Sequence, residues 1–218
     1  VGSNQVVIGN EAGRYATGSS NTFVGTGAGK GGTTSAPYSS GVSNTALGYA
    51  SMGAFTTAAT NTAVGYTSLY YARNGQYNTA IGHESLYGVS NADSYWNTAI
   101  GHQAMKANTN GSDNVVIGAQ AGLSMTTASG SVFIGRSAGS NITTAHGSVG
   151  IGYEALQSKT GGESVAIGYQ AGKAETNPGY LGSVYIGYKA GQGIVNSAVV
   201  MIGYMAGAAY SGIGKAEG

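Results

Sequence analysis

The chain has 218 residues, of which 8% are charged, with a formal net charge of +1, no Cys and 40 Gly. That balance excludes a duplex-binding face, which needs clustered cations to neutralise several phosphates at once, and it excludes a disulfide framework or thiolate site. Glycine-rich, charge-poor chains are often disordered, but here 41% of residues are apolar and 16 are Tyr, and they recur in register, which argues for order.

The register begins at Val6. A Val or Thr, any residue, an aliphatic residue and Gly, with Ala or Ser three places later, recur along the chain. The aliphatic–Gly pairs are Ile8-Gly9, Val24-Gly25, Leu47-Gly48, Val64-Gly65, Ile81-Gly82, Ile100-Gly101, Ile117-Gly118, Ile134-Gly135, Ile151-Gly152, Ile167-Gly168, Ile186-Gly187 and Ile202-Gly203. Successive glycines stand 16 to 23 residues apart, most often 17. Helical hairpin repeats need more than about 30 residues, so this period predicts one coil of a β-solenoid.

With each motif glycine as position zero, position minus three is always Val or Thr and position minus one is Ile, Val or Leu. Residues two apart share a strand face, and β-branched aliphatics suit a half-buried pleated surface. The expectation is that this face lines the interior. Minus four and minus two then point outward. Minus four is mostly Asn or Ser, able to bond up and down a ladder. Minus two is small or aromatic, and Phe23, Ala46, Ala63, Ala80, Ala99, Phe133, Ala166 and Tyr185 are expected to form an oligomer interface. The Ala or Ser at plus three fits a crowded inside corner. Thr17, Thr33, Thr56, Thr109, Thr126, Thr143, Thr160 and Thr176 at plus eight predict a second short strand. About twelve coils spaced at ~4.8 Å would make a rod roughly 57 Å tall. Residues 1–207 form this solenoid and 208–218 a cap, joint or tail. The first residue, Val1, reads as a cropped or processed start.

A thin core with a flat apolar outer face predicts association of identical chains, and closed symmetry would bury that face. The expected assembly is a homotrimer around a shared axis, with end-to-end assembly as a further option.

Three long coils break the regularity, at 30–42, 87–96 and 173–182. Insertions in repeat proteins form loops on one face and often carry recognition. Tyr and Trp are enriched at binding hot spots, so Tyr38, Tyr71, Tyr77, Tyr87, Tyr95, Trp96 and Tyr180 are candidate contacts to a surface glycan or protein receptor. A plus-one ladder of Tyr49, Tyr66, His83, His102, Tyr153, Tyr169, Tyr188 and Tyr204 reads as rings stacking along the rod, with stacking against sugars as the functional alternative.

The segments Asn-Thr-Ala-Ile-Gly-His-Glu-Ser-Leu (78–86) and Ser-Val-Ala-Ile-Gly-Tyr-Gln-Ala-Gly (164–172) resemble the head repeats of YadA-like trimeric adhesins and the related repeats of phage tail fibres. The resemblance covers about residues 4 to 207. It implies a left-handed parallel β-roll trimer used in attachment, placed outside the cell on a virion tail fibre or a cell surface.

No Ser/His/Asp group or paired-carboxylate constellation recurs, and Asp occurs only as Asp93 and Asp113. Gly27 to Gly32 fits GxGxxG and Gly25 to Lys30 loosely matches a phosphate loop, but the spacing to Lys30 is one residue short, Gly31 replaces the needed Ser or Thr, and no βαβ unit surrounds them. The chain is therefore expected to be a non-enzyme with no catalytic residues, cofactor or metal. The longest apolar run is about 12 residues, against the roughly 20 of a membrane helix, so no membrane insertion is expected. The leading expectation is a structural and adhesive fibre segment. The runner-up is a subunit of a self-assembling extracellular filament without a receptor-binding role.

Overall fold

The computed structural model describes residues 2–32, 39–88, 93–144, 146–159, 163–174, 182–193 and 198–208. Tyr38, Tyr180 and nearly all of the 208–218 segment lie outside them. Among the described residues, twelve three-residue strands, β1 (Val6–Ile8), β2 (Thr22–Val24), β3 (Thr45–Leu47), β4 (Thr62–Val64), β5 (Thr79–Ile81), β6 (Thr98–Ile100), β7 (Val115–Ile117), β8 (Val132–Ile134), β9 (Val149–Ile151), β10 (Val165–Ile167), β11 (Val184–Ile186) and β12 (Val200–Ile202), form one parallel sheet in chain order. The chain is a parallel β-solenoid with a spacing near 17 residues, and no helix occurs among the described residues.

Equivalent motif positions pair without slip, as in Thr45↔Thr62, Ala46↔Ala63 and Leu47↔Val64. The motif glycine enforces this register. Its φ lies near +130° in every coil, as at Gly48 (+127°) and Gly168 (+138°), a conformation that side chains disfavour. A Cβ on Gly48 would also lie 2.5 Å from the carbonyl oxygen of Gly65 in the next coil. Backbone stacks on backbone there.

The two faces of the strand are the reverse of the sequence expectation. Phe23, Ala46, Ala63, Ala80, Ala99, Phe133, Ala166 and Tyr185, expected to meet a partner chain, are all fully buried inside the coil. They belong to the core and cannot form an interface between chains. No residue at minus three or minus one is buried, and Leu47, Ile81 and Ile167 are clearly exposed. The cause is the width of the interior. A face with two β-branched side chains per coil is too bulky for it, whereas the minus-two face contributes one.

That interior is filled by a reciprocal pair. Where minus two is small (Ala46, Ala63, Ala80, Ala99, Gly150), plus four is Met52, Leu69, Leu86, Met105 or Leu156. Where minus two is larger (Val7, Phe23, Val116, Phe133, Tyr185, Met201), plus four is Gly13, Gly29, Gly122, Gly139, Gly191 or Gly207. A Cβ on Gly139 would lie 2.7 Å from the Phe133 ring. Ala166 faces Gly172, and that space is taken from the neighbouring coils: a Cβ on Gly172 would lie 2.8 Å from Tyr185 and 2.9 Å from Leu156. Minus two and plus four together thus contribute at most one large group per coil, and plus seven adds Phe55, Met125 and Ile142 to the same buried core.

Beside it runs an amide ladder of the minus-four Asn residues, which are buried and not outward as expected, because they turn in with minus two. Asn21 Oδ1 accepts from the backbone N–H of Asn44 at 2.8 Å and from its Nδ2 at 3.2 Å, and the same pattern continues through Asn61, Asn78, Asn97 and Asn114. Each Nδ2 also donates to a turn carbonyl, as Asn78 does to Ser94 at 2.8 Å. The buried amides are thus satisfied, and the ladder ties the strand to the opposite turn. From Ser131 onward Ser replaces Asn, and Ser183 N donates to Ser164 Oγ at 3.0 Å.

The second strand expected at plus eight does not form in the described residues. Thr56, Thr109 and Thr126 occupy bends, where the backbone N–H and the hydroxyl donate to one carbonyl of the next coil: Thr109 N and Oγ1 both reach Thr126 O at 2.9 Å. Thr recurs because its hydroxyl doubles that bond. Short parallel bridges occur instead at minus six, Ala59↔Gln76 and Gln76↔Tyr95.

The reciprocal pair makes a prediction. Phe133→Ala should cost about 3–5 kcal/mol, and Gly139→Leu should also destabilise by overpacking. The double variant recreates the Ala63 and Leu69 pairing and should recover most of the loss. Denaturant unfolding at fixed protein concentration would show this, and a double variant as unstable as the sum of the singles would refute the pairing.

Candidate functional site

Three surfaces carry more than packing. The first is the outward face of the sheet. At minus three it presents Val6, then Thr22, Thr45, Thr62, Thr79 and Thr98, then Val from Val115 to Val200, and at minus one it presents the unbroken aliphatic column from Ile8 to Ile202. Twelve rungs separated by eleven steps of about 4.8 Å give a strip roughly 53 Å long. These residues were missed as a surface because alternation marks two faces but not which one is the core. The reciprocal sizes at minus two and plus four were the signal that would have identified the inside.

The second surface adjoins the strip through the plus-one side chains. Tyr49, Tyr66 and His83 stack with ring centroids 5.1 and 5.0 Å apart and planes within 10°. His102 continues the run at 5.2 Å, tilted by 31°. A second run, Tyr153, Tyr169, Tyr188 and Tyr204, repeats at 5.1 to 5.2 Å. Between the runs stand Ala119 and Arg136, and the Arg136 guanidinium carbon lies 6.0 Å from the Tyr153 ring centroid. Each interior ring is covered by neighbours on both sides, which favours stacking along the rod over ligand binding. Among the described residues, no three His, Cys, Asp or Glu side chains gather in a metal-binding group.

The third surface holds the aromatic residues singled out in the sequence, and the fold divides them between two corners. Tyr71, at plus six, stands edge-on to Tyr70 at 4.7 Å and to Tyr87 at 5.4 Å, while Tyr70 and Tyr87 stack at 5.4 Å. Burial, then neighbouring Tyr71, holds the Tyr87 hydroxyl above the ordinary phenol range. This cluster is half-buried. Tyr77 and Trp96, at minus five of adjacent coils, are parallel within 1° at 5.9 Å and more than half exposed. Tyr95 leans on Trp96 at 5.6 Å and 42°.

Charge is sparse and arranged across coils. A Glu at plus two meets a Lys at plus five of the next coil three times: Glu11 with Lys30 at 2.6 Å, Glu84 with Lys106 at 2.8 Å and Glu154 with Lys173 at 2.5 Å. The hydrogen bond from Lys106, then that from Gln103, holds the Glu84 carboxyl below its ordinary value. Lys173, then Gln170 and Tyr153, lower Glu154, and the same bond raises the Tyr153 hydroxyl. These pairs clamp successive coils.

Compared with protein-family models, with curated proteins and with solved structures, the chain gives no significant match in any of the three.

Glu84 and Glu154 have depressed folded-state pKa values, so their stabilisation is present above the ordinary Glu value of about 4.5 and is lost as pH falls through the depressed ones. Partial exposure limits each pair to about 0.5 kcal/mol. The melting temperature should fall as the solution is acidified below that value. Glu84→Gln with Glu154→Gln should flatten this acid limb while lowering stability slightly at neutral pH. Parallel melting curves for the variant and the parent across that range would contradict the assignment.

Proposed function

We propose that the chain is a structural and adhesive fibre segment that assembles as a homotrimer around the rod axis and serves attachment to a host or surface from outside the cell. The observation that carries this reading is the outward strip of Val, Thr, Ile and Leu side chains running from β1 to β12, unburied in the single chain. Monomers rarely leave so long a contiguous apolar surface in water, and such patches mark interfaces. Cyclic closure of identical strips covers all of them at once. The resemblance of the repeats to those of YadA-like adhesin heads and phage tail fibres supports three as the number of chains and a left-handed roll as the coil. The strip replaces the buried Ala and Phe positions as the proposed interface. In this assembly the half-exposed aromatic corner at Tyr77 and Trp96 is free for recognition.

A purely architectural filament, growing end to end without a receptor role, is the competing reading. Electron microscopy separates the two, because discrete rods of uniform length support a fibre segment and helical filaments support the polymer.

Sedimentation equilibrium tests the assembly. Three chains of 21.6 kDa should sediment together, and Ile134→Glu should dissociate them, since each copy would place an unpaired carboxylate in an apolar interface. A parent chain that is a stable, folded monomer would remove the proposal.

A further inference from the structure

We propose that Tyr77 and Trp96, flanked by Thr60 and Asp113, form a carbohydrate-binding site that takes a neutral hexopyranose unit of a surface glycan. Position minus five of the coil holds a positive φ in most coils: Asn4 (56°), Ser20 (59°), Ser43 (57°), Thr60 (57°), Tyr77 (58°), Trp96 (54°) and Asp113 (59°), then Gly130 (65°) and Gly147 (61°). Small polar residues and Gly tolerate this conformation, whereas a bulky ring there is an outlier. Leu69 and Leu86 also sit at positive φ (49° and 45°), but they are buried in the core, which offsets the strain. Tyr77 and Trp96 instead stand in solvent at this position, 51% and 56% exposed.

The surroundings give the ligand its chemistry. The two rings are parallel, Tyr95 braces Trp96, and the backbone beneath is fixed by Tyr77 N donating to Ala59 O at 3.3 Å and Trp96 N to Gln76 O at 3.1 Å. The pair is bounded by polar groups on both sides, with the exposed Thr60 one coil before and the exposed Asp113 one coil after. Asp113 N is tied to Tyr95 O at 3.1 Å, and its carboxylate has no side-chain partner among the described residues. Rungs at about 4.8 Å therefore align a hydroxyl, two rings and a carboxylate over roughly 14 Å. A hexopyranose offers an apolar C–H face to electron-rich ring faces and a vicinal pair of hydroxyls to an acceptor-only carboxylate. The same carboxylate repels acidic sugars. The inference rests on the adhesive part of the fibre reading for its purpose and not for its geometry.

Trp96 is the only Trp in the chain, so its emission reports this site alone. The assembled protein is titrated with neutral cello-, manno- and galacto-oligosaccharides and, separately, with oligogalacturonate. Saturable quenching or a blue shift is expected for at least one neutral series, with oligogalacturonate at least ten-fold weaker. Tyr77→Ser and Asp113→Asn should each weaken binding at least ten-fold, whereas Tyr169→Ala on the stacked ladder should leave it unchanged. Ser already occupies this column at Ser20 and Ser43, so the Ser variants retain the fold, which circular dichroism checks. Trp96→Ser, followed by calorimetry, should abolish the binding heat. No response to any neutral series, unchanged binding in Tyr77→Ser, or equal binding of the acidic series would each overturn the proposal. So would a loss of self-association in Trp96→Ser without any sugar response, which would assign the surface to a contact between copies. Sedimentation without sugar reads the trimer separately, so failure of the glycan site and failure of the fibre reading are distinguishable.

Discussion

The width of the coil interior governs this structure. Motif glycines stack with their backbones too close for a Cβ, and the Asn ladder pulls the opposite turn onto the strand through side-chain amides. The space left between strand and turn admits one large side chain from plus four and minus two together. Plus four and minus two compete for it, which is why Leu or Met alternates with Gly at one position as Ala alternates with Phe or Tyr at the other. A core built this way is continuous along the rod but thin across it, so each coil depends on its neighbours for burial.

A thin core has a consequence on the outside. The sheet is only three residues wide, and its inward face holds one residue of each strand, so the β-branched aliphatics that favour strand formation are left facing water. Stability of the single rod and pressure to associate thus come from the same motif. The polar ladders work in the other direction. Amides inside, Thr hydroxyls at plus eight and the Glu–Lys pairs between plus two and plus five all bond from coil to coil, fixing register along the axis while leaving the outward strip apolar.

Against this regular background the departures are informative. The plus-one rings continue the axial stacking and adjoin the proposed interface. The Tyr70, Tyr71 and Tyr87 cluster packs on itself edge to face, as aromatic groups prefer. Tyr77 and Trp96 stack only on each other, with Tyr95 leaning on Trp96. They stand at a backbone position made for Ser, Asn, Asp or Gly, and they remain in solvent.

Period, parallel stacking, register, the inside corner at plus three and the ladder of Asn were legible in the residues themselves, because each depends on local geometry repeated in the chain. The three candidate aromatics at Tyr77, Tyr95 and Trp96 were legible as a crowd, though not as a group separate from Tyr71 and Tyr87. Which strand face is inward was decided only by the tertiary structure. Alternation of two positions defines two faces but carries no sign, and the sign is set by how much volume the folded coil can enclose. The same holds for plus eight, where Thr suggested a strand by propensity and the fold uses it for a doubled bond at a bend. Sequence determined what repeats. Enclosure of a narrow interior determined which side of the repeat meets water, and with it where another molecule can bind.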